Sequence, residues 1–129
     1  MKLKNKMRLT GSLFMLISVL LGAIASHYLE PLLSSEAIAS FQVGVRYLTY
    51  HGLALLLFSI INVGSKKRKR IFFVLITLGN VLFSGSIFLL SFKEVLPFSI
   101  GWVGPITPVG GGILILGWCF SVWCFIKKT

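Results

Sequence analysis

Residues 71–92 read IFFVLITLGNVLFSGSIFLLSF, an apolar run without a charged residue. A bilayer core of about 30 Å needs about 20 helical residues to cross it, and this run is long enough. Lys66, Lys67, Arg68, Lys69 and Arg70 stand immediately before it. A long uncharged run with cations at one end reads as a transmembrane helix anchored at one membrane surface. Its continuous apolarity argues against a barrel strand, whose sides alternate over about 10 residues.

Three further stretches are long enough to cross: about residues 9–27, 43–63 and 106–126. Arg46 is the one charged residue inside all four spans. The composition agrees. Of 129 residues, 56% are hydrophobic and only 12% charged, against roughly 25% charged in a soluble domain. Those few charges cannot cover a soluble surface, and so much apolar sequence does not stay disordered. Two cysteines are too few for a disulfide scaffold. The expected fold is all-α: a single four-span transmembrane domain over residues 1–129, built as a four-helix bundle.

Charge sets the expected orientation. Eleven of the 13 basic residues precede span one, separate spans two and three, or follow span four, the last as Lys127 and Lys128. The opposite side carries Arg46 and Lys93 with all three acids, Glu30, Glu36 and Glu94. The positive-inside rule then puts both termini in the cytoplasm. Lys66, Lys67, Arg68, Lys69 and Arg70 are expected to touch anionic lipid. Nucleic acid is not expected as a partner, because so short a basic segment offers no aromatic platform for bases.

The first span has two readings. Its basic start, apolar run and Ala23-Ile24-Ala25 before Ser26 resemble a cleavable signal peptide. Alternatively, Gly11, Ser18, Gly22 and Ser26 form a small-residue stripe on a retained helix, which completes an even bundle. Pro31 ends this helix, and Ser34 or Ser35 caps the next, with Glu36 in its first turn. Pro97, Gly101, Gly104, Pro105 and Pro108 forbid a long helix between spans three and four, where Trp102 suits an interfacial belt.

No catalytic, cofactor or metal-binding spacing is present, so neither a cofactor nor a metal is expected. Cys119 and Cys124 lie about 140° apart on a helix and cannot bridge each other. The informative polar residues gather toward the acid-bearing side of the spans. His27, Arg46, Tyr47, Tyr50, His51, Ser84 and Thr107 form the candidate cluster. Helical spacing puts Tyr47 and His51 on one face, aimed at His27, Ser84 or Thr107, with Arg46 at the rim near an acid. A polar cavity, if present, opens outward. Ionisable groups inside a span are costly, so they mark either a functional site or interhelical hydrogen bonds.

Several segments resemble a known family. Tyr47-Leu48-Thr49-Tyr50-His51-Gly52-Leu53-Ala54-Leu55-Leu56 is similar to the Tyr-x-x-Tyr-His-(Ala/Gly)-Leu-Ala-Leu-Leu signature of small bacterial membrane proteins. Phe83-Ser84-Gly85-Ser86, Ile106-Thr107-Pro108-Val109-Gly110-Gly111 and Gly117-Trp118 resemble that family's further motifs in order. Gly22-Ala23-Ile24-Ala25-Ser26-His27 resembles its Gly-Ala-Phe-Gly-Ala-His, with Ile24 and Ala25 as departures. The family is domain of unknown function 423, also called uncharacterised protein family 0382, to which eukaryotic transmembrane protein 256 is similar. The resemblance implies a four-span protein of the bacterial inner membrane and supplies no activity.

Three functional expectations follow. The first is a non-enzymatic membrane protein acting through lipids, a membrane-protein partner or its own oligomer. The second is a small oligomeric transporter, channel or ligand binder using the polar cluster. The third, an intramembrane enzyme, lacks a nucleophile or metal set to accompany His51.

Overall fold

A computed structural model describes residues 1–127, so Lys128 lies outside the described residues. Helix α1 runs Leu3–Ile24 and continues as a π-helical turn, Ala25–Leu29. Helix α2 spans Ser35–Ile60, α3 Lys66–Ser91 and α4 Ile106–Ile126, with a 3-10 turn at Gly101–Val103 before α4. Among the described residues there is no strand. All four helices are long and apolar enough to cross a membrane, as expected.

The helix boundaries follow capping chemistry more than hydropathy. Ser34 caps α2 by accepting a 3.2 Å hydrogen bond from the Ala37 backbone N–H, and Glu36 stands in the first turn. That turn carries the positive end of the helix dipole, which suits a carboxylate. Helix α1 begins at Leu3, six residues before the apolar run read from sequence, because nothing in Lys4–Arg8 opposes a helix. The basic segment 66–70 is likewise the first turn of α3 and not a loop. Five cations at a helix N-terminus oppose the dipole. Ser65 offsets part of that cost, accepting from Arg68 N–H at 3.2 Å. The tight link back to α2 turns on Gly64, at φ 97°, whose N–H donates to Asn62 Oδ1 at 2.9 Å.

Helix α1 packs on α2, α2 on α3 and α3 on α4, with a lighter contact between α1 and α3. Half of α2's most apolar window is buried, against 22% for α1 and 28% each for α3 and α4. Helix α2 is therefore the centre of the bundle. One end of the bundle carries both the N-terminus and the α2–α3 link, and is called here the basic end. The other carries Glu30, Glu36 and Glu94 and is called the acidic end. Toward the basic end, Phe58 stacks on Phe72 with centroids 3.7 Å apart, and Trp118 meets Phe72 edge-on at 5.7 Å. Toward the acidic end, Phe41 packs between Phe88 and Phe92.

Glycine sets how closely the helices approach. A Cβ on Gly11 would stand 2.8 Å from Gly52 O, and one on Gly52 would stand 3.0 Å from Gly11 O. This crossing, and not Gly22, is the tight point between α1 and α2. A Cβ on Gly22 would meet only Val45 Cγ1, at an ordinary 3.6 Å. Of the proposed stripe, Ser18 is buried and Ser26 is exposed. The spacing located the correct helix face but not the depth of the crossing. Between α3 and α4 the contact is tighter still. A Cβ on Gly110 would overlap Phe83 N and stand 2.8 Å from Phe83 Cα. Gly85 faces open space, unlike its neighbour Ser84.

These distances separate two glycines two residues apart on α4. Gly110→Ala forces backbone against backbone and should cost roughly 1–3 kcal/mol. Gly112→Ala meets nothing within 4 Å and should be neutral or slightly stabilising. Thermal unfolding in mild detergent reads both. Equal midpoints would refute the close α3–α4 contact.

Candidate functional site

Helix α2 carries His51 inward, where it is 4% exposed. Its Nδ1 lies 2.7 Å from Tyr47 O, one turn back on the same helix. Its Nε2 lies 3.1 Å from Trp118 Nε1 of α4. An indole nitrogen only donates, so Nε2 must be the accepting nitrogen. Nδ1 then carries the proton and donates to the Tyr47 carbonyl. Both ring nitrogens are thereby satisfied in the neutral Nδ1–H tautomer. A second proton could enter only at Nε2, by breaking the bond to Trp118. As arranged, His51 offers no free lone pair and no free N–H to a substrate.

Tyr47, Tyr50 and His51 form a run of ring contacts, with Tyr47 5.9 Å from His51 and 6.0 Å from Tyr50 by centroid. Tyr47 rests on Phe83 of α3, centroids 4.7 Å apart, and both tyrosines are exposed on the bundle surface. Ser84 is 1% exposed and lies 3.0 Å from Gly44 O of α2 and 3.2 Å from Asn80 Oδ1. A hydroxyl has one proton to give. With the Asn80 amide turned so that its NH2 faces Ser84, Asn80 donates to Ser84 and Ser84 donates to Gly44. Thr107 Oγ1 lies 2.6 Å from Ser86 Oγ and ties α4 to α3. His27 sits exposed on the π-helical turn, and Arg46 is exposed. Among the described residues no ion pair joins Arg46 to Glu30, Glu36 or Glu94.

The seven residues read from sequence therefore do not converge on one point. His51, Ser84 and Thr107 make three separate interhelical bonds: α2 to α4, α3 to α2 and α3 to α4. The expected partners of His51 were His27, Ser84 or Thr107, and the actual one is Trp118. Depth along the spans placed His51 in the right layer, but azimuth around the bundle decided its neighbour. The missed signal was Trp118 itself. An indole N–H inside a span requires an acceptor, and His51 is within reach.

The cavities lie elsewhere. One of about 390 Å³ sits at the acidic end, between the start of α2, the end of α3 and the start of α4. Glu36, Ser40, Ser91, Lys93, Glu94 and Thr107 line it. A second, of about 440 Å³, lies beside the π-helical turn and is lined by Ser26, Glu30, Ser35 and Gln42 among others. All three of the chain's acids line these two spaces. A cavity opening at the acidic end was expected, but of the seven cluster residues only Thr107 lines one. His51 lies about 16 Å along α2 from Ser40, well below the 390 Å³ cavity. Among the described residues, no group of three or more His, Cys, Asp or Glu is arranged to hold a metal ion.

At the basic end, α1 and α3 both reach the last turn of α2. Arg8 Nε donates to Ser59 Oγ and Lys69 Nζ donates to Ser59 O, each at 3.3 Å. Cations there complement the negative end of the α2 dipole. The Arg68 guanidinium lies 4.8 Å from the Trp123 ring centroid, a cation–π contact with α4.

A double-mutant cycle tests the His51–Trp118 bond. Trp118→Phe, His51→Leu and the pair should show a coupling of about 0.6 kcal/mol and no more than about 1.7 kcal/mol, the range for such bonds between membrane helices. Strictly additive effects on unfolding in detergent would refute the bond.

Comparison with known proteins agrees with this architecture. The family model "Protein of unknown function (DUF423)" matches residues 21–111. A UPF0382 membrane protein of Staphylococcus haemolyticus is 34% identical over 87% of this chain and 88% of its own length. The UPF0382 membrane protein YwdK of Bacillus subtilis is 32% identical over 91% of this chain and 93% of its own. The UPF0382 inner membrane protein YgdD of Escherichia coli K12 is 32% identical over 82% of this chain and 78% of its own. No solved structure matches. With its four apolar helices and full-length relatives, the chain belongs to the DUF423 (UPF0382) family of membrane proteins.

Proposed function

We propose that this is a non-enzymatic membrane protein, with both termini in the cytoplasm, that acts through lipids or a membrane partner. The observation that carries this reading is the use of its interior polar groups. His51, Ser84 and Thr107 are all engaged in bonds between helices. Two polar cavities lie at the acidic end, and His51 bonds Trp118 across the bundle below them. A transport pathway would need polar lining continuous to the basic end.

Orientation has a direct test. A reporter fused to the C-terminus should be active only for cytoplasmic placement, and a tag inserted in 97–99 should be reachable from outside. An externally placed C-terminus would overturn the proposed orientation.

The basic end divides its labour. Arg68 and Lys69 are partly buried against Trp123 and Ser59, whereas Lys66, Lys67 and Arg70 are exposed. The exposed three are the lipid-facing charges, each contributing about 1 kcal/mol of attraction to an anionic surface. Replacing all three with Gln should reduce the phosphatidylglycerol retained through purification, as read by native mass spectrometry, with little change in the melting midpoint. Unchanged retention would overturn the lipid role of this segment.

A second reading, a ligand binder at the acidic end, is favoured by the 390 Å³ cavity. Its size lies within the range of about 300–1,000 Å³ usual for small-molecule sites.

A further inference from the structure

The cavity between α2, α3 and α4 combines features that no single helix explains. The chain has three acids against 13 basic residues, and two of the three face this space. Among the described residues, no ion pair holds Glu36, Glu94 or Lys93. The wall behind them is rich in acceptors. Ser91 is buried and gives its proton to Ile87 O at 2.9 Å, which leaves its lone pairs available. Thr107 shares a single short bond with Ser86.

The helix ends add partial charges of both signs, which the side-chain charges beside them offset. Glu36 stands at the N–H end of α2 and Lys93 just past the carbonyl end of α3, so the full charges set where each ligand group goes. Ile87, Leu90 and Ser91 belong to the last turns of α3, whose carbonyl end favours a cation. Ser34, Glu36 and Ala37 belong to the start of α2, and Thr107 to the start of α4, where N–H groups favour an anion. Lys93 supplies the one full positive charge on the lining. Cation-seeking and anion-seeking groups therefore share one cavity a few ångströms across.

Its depth narrows the ligand further. The cavity lies where three helices begin or end, and Trp102, 72% exposed on the adjoining 3-10 turn, marks a membrane–water boundary. A polar group at this level is at headgroup depth. A primary ammonium brings three N–H donors to carboxylates and hydroxyls, whereas a quaternary ammonium brings none.

We propose that this cavity binds a phosphoethanolamine group, with its ammonium on Glu36 and Glu94 and its phosphate toward Lys93. The proposal rests on the ligand-binding reading above and names the chemistry of that site. The same group comes from a phosphatidylethanolamine headgroup or from a soluble phosphoethanolamine, and the experiment separates the two.

Full-length protein in detergent is titrated with soluble phosphoethanolamine, phosphocholine and ethanolamine by calorimetry. In parallel, protein in phosphatidylcholine nanodiscs with and without phosphatidylethanolamine is analysed by native mass spectrometry. Phosphoethanolamine should bind more tightly than phosphocholine. Glu36→Gln or Glu94→Gln should weaken binding about threefold each, and the pair about tenfold, as suits exposed charge pairs. Glu30→Gln removes the same charge from the neighbouring cavity and should leave binding unchanged. All four glutamine variants are at exposed positions, and unchanged melting midpoints would show that they fold. Binding in nanodiscs alone identifies the lipid as the source, and binding in both formats identifies the soluble group. Glutamate-dependent binding of ethanolamine as tight as that of phosphoethanolamine would overturn the phosphate assignment while keeping the ligand reading. Equal binding of phosphocholine, indifference to the Glu36/Glu94 pair, or no binding in either format would overturn the proposal. Only the last would also count against the ligand reading itself.

Discussion

The indole N–H of Trp118 lies within an apolar span and has to reach an acceptor without water. His51 Nε2 supplies one at 3.1 Å. That single requirement fixes the proton of His51 on Nδ1, and the proton in turn ties the ring to Tyr47 O on its own helix. The bond also joins α4 to the central helix α2, which otherwise meets α4 mainly through α3. Lipid tails are as apolar as the core they surround, so burial alone drives helices together only weakly. Hydrogen bonds such as this one, with Ser84 to Gly44 O and Ser86 to Thr107, then carry an unusual share of specificity.

Glycines let the backbones approach, and at the α3–α4 contact Gly110 lies one turn from the Ser86–Thr107 bond. Gly11 and Gly52 lie against each other where α1 crosses α2, and Gly110 lies against the Phe83 backbone where α4 crosses α3. At such a contact even one methyl group has nowhere to go, because the opposing atoms are main chain and cannot rotate away. Close approach also increases the dispersion contacts between apolar side chains on either side. Dispersion and hydrogen bonding thus depend on the same small residues.

The two ends of the bundle use charge differently. At the basic end, Arg8 and Lys69 converge on Ser59 and Arg68 covers Trp123, so part of the positive excess ties α1 and α3 to α2, and α4 to α3. At the acidic end no ion pair among the described residues holds the few carboxylates, and they line open space. Function is therefore best sought at the ends. His51, Ser84 and Thr107, which first attract attention in a membrane sequence, are occupied in holding the helices together.

Number, type and approximate extent of the helices were legible in the sequence alone, because span length and hydropathy are set by the bilayer and not by neighbouring helices. The Ser34 cap and the termination at Pro31 were legible for a similar reason: capping is local chemistry within one turn. Membership of the family was also legible, in the run Tyr47–Leu56 and the motifs that follow it. The partner of His51, the depth of the Gly11–Gly52 crossing and the cavity at Glu36 and Glu94 were not. Each depends on how helices distant in sequence are rotated and displaced against one another. Helical spacing defines which residues share a face, but it says nothing of which foreign face stands opposite. Only the packed tertiary structure decided that Trp118 faces His51, and that Thr107 faces Ser86 at the edge of a cavity lined by the chain's scarce acids.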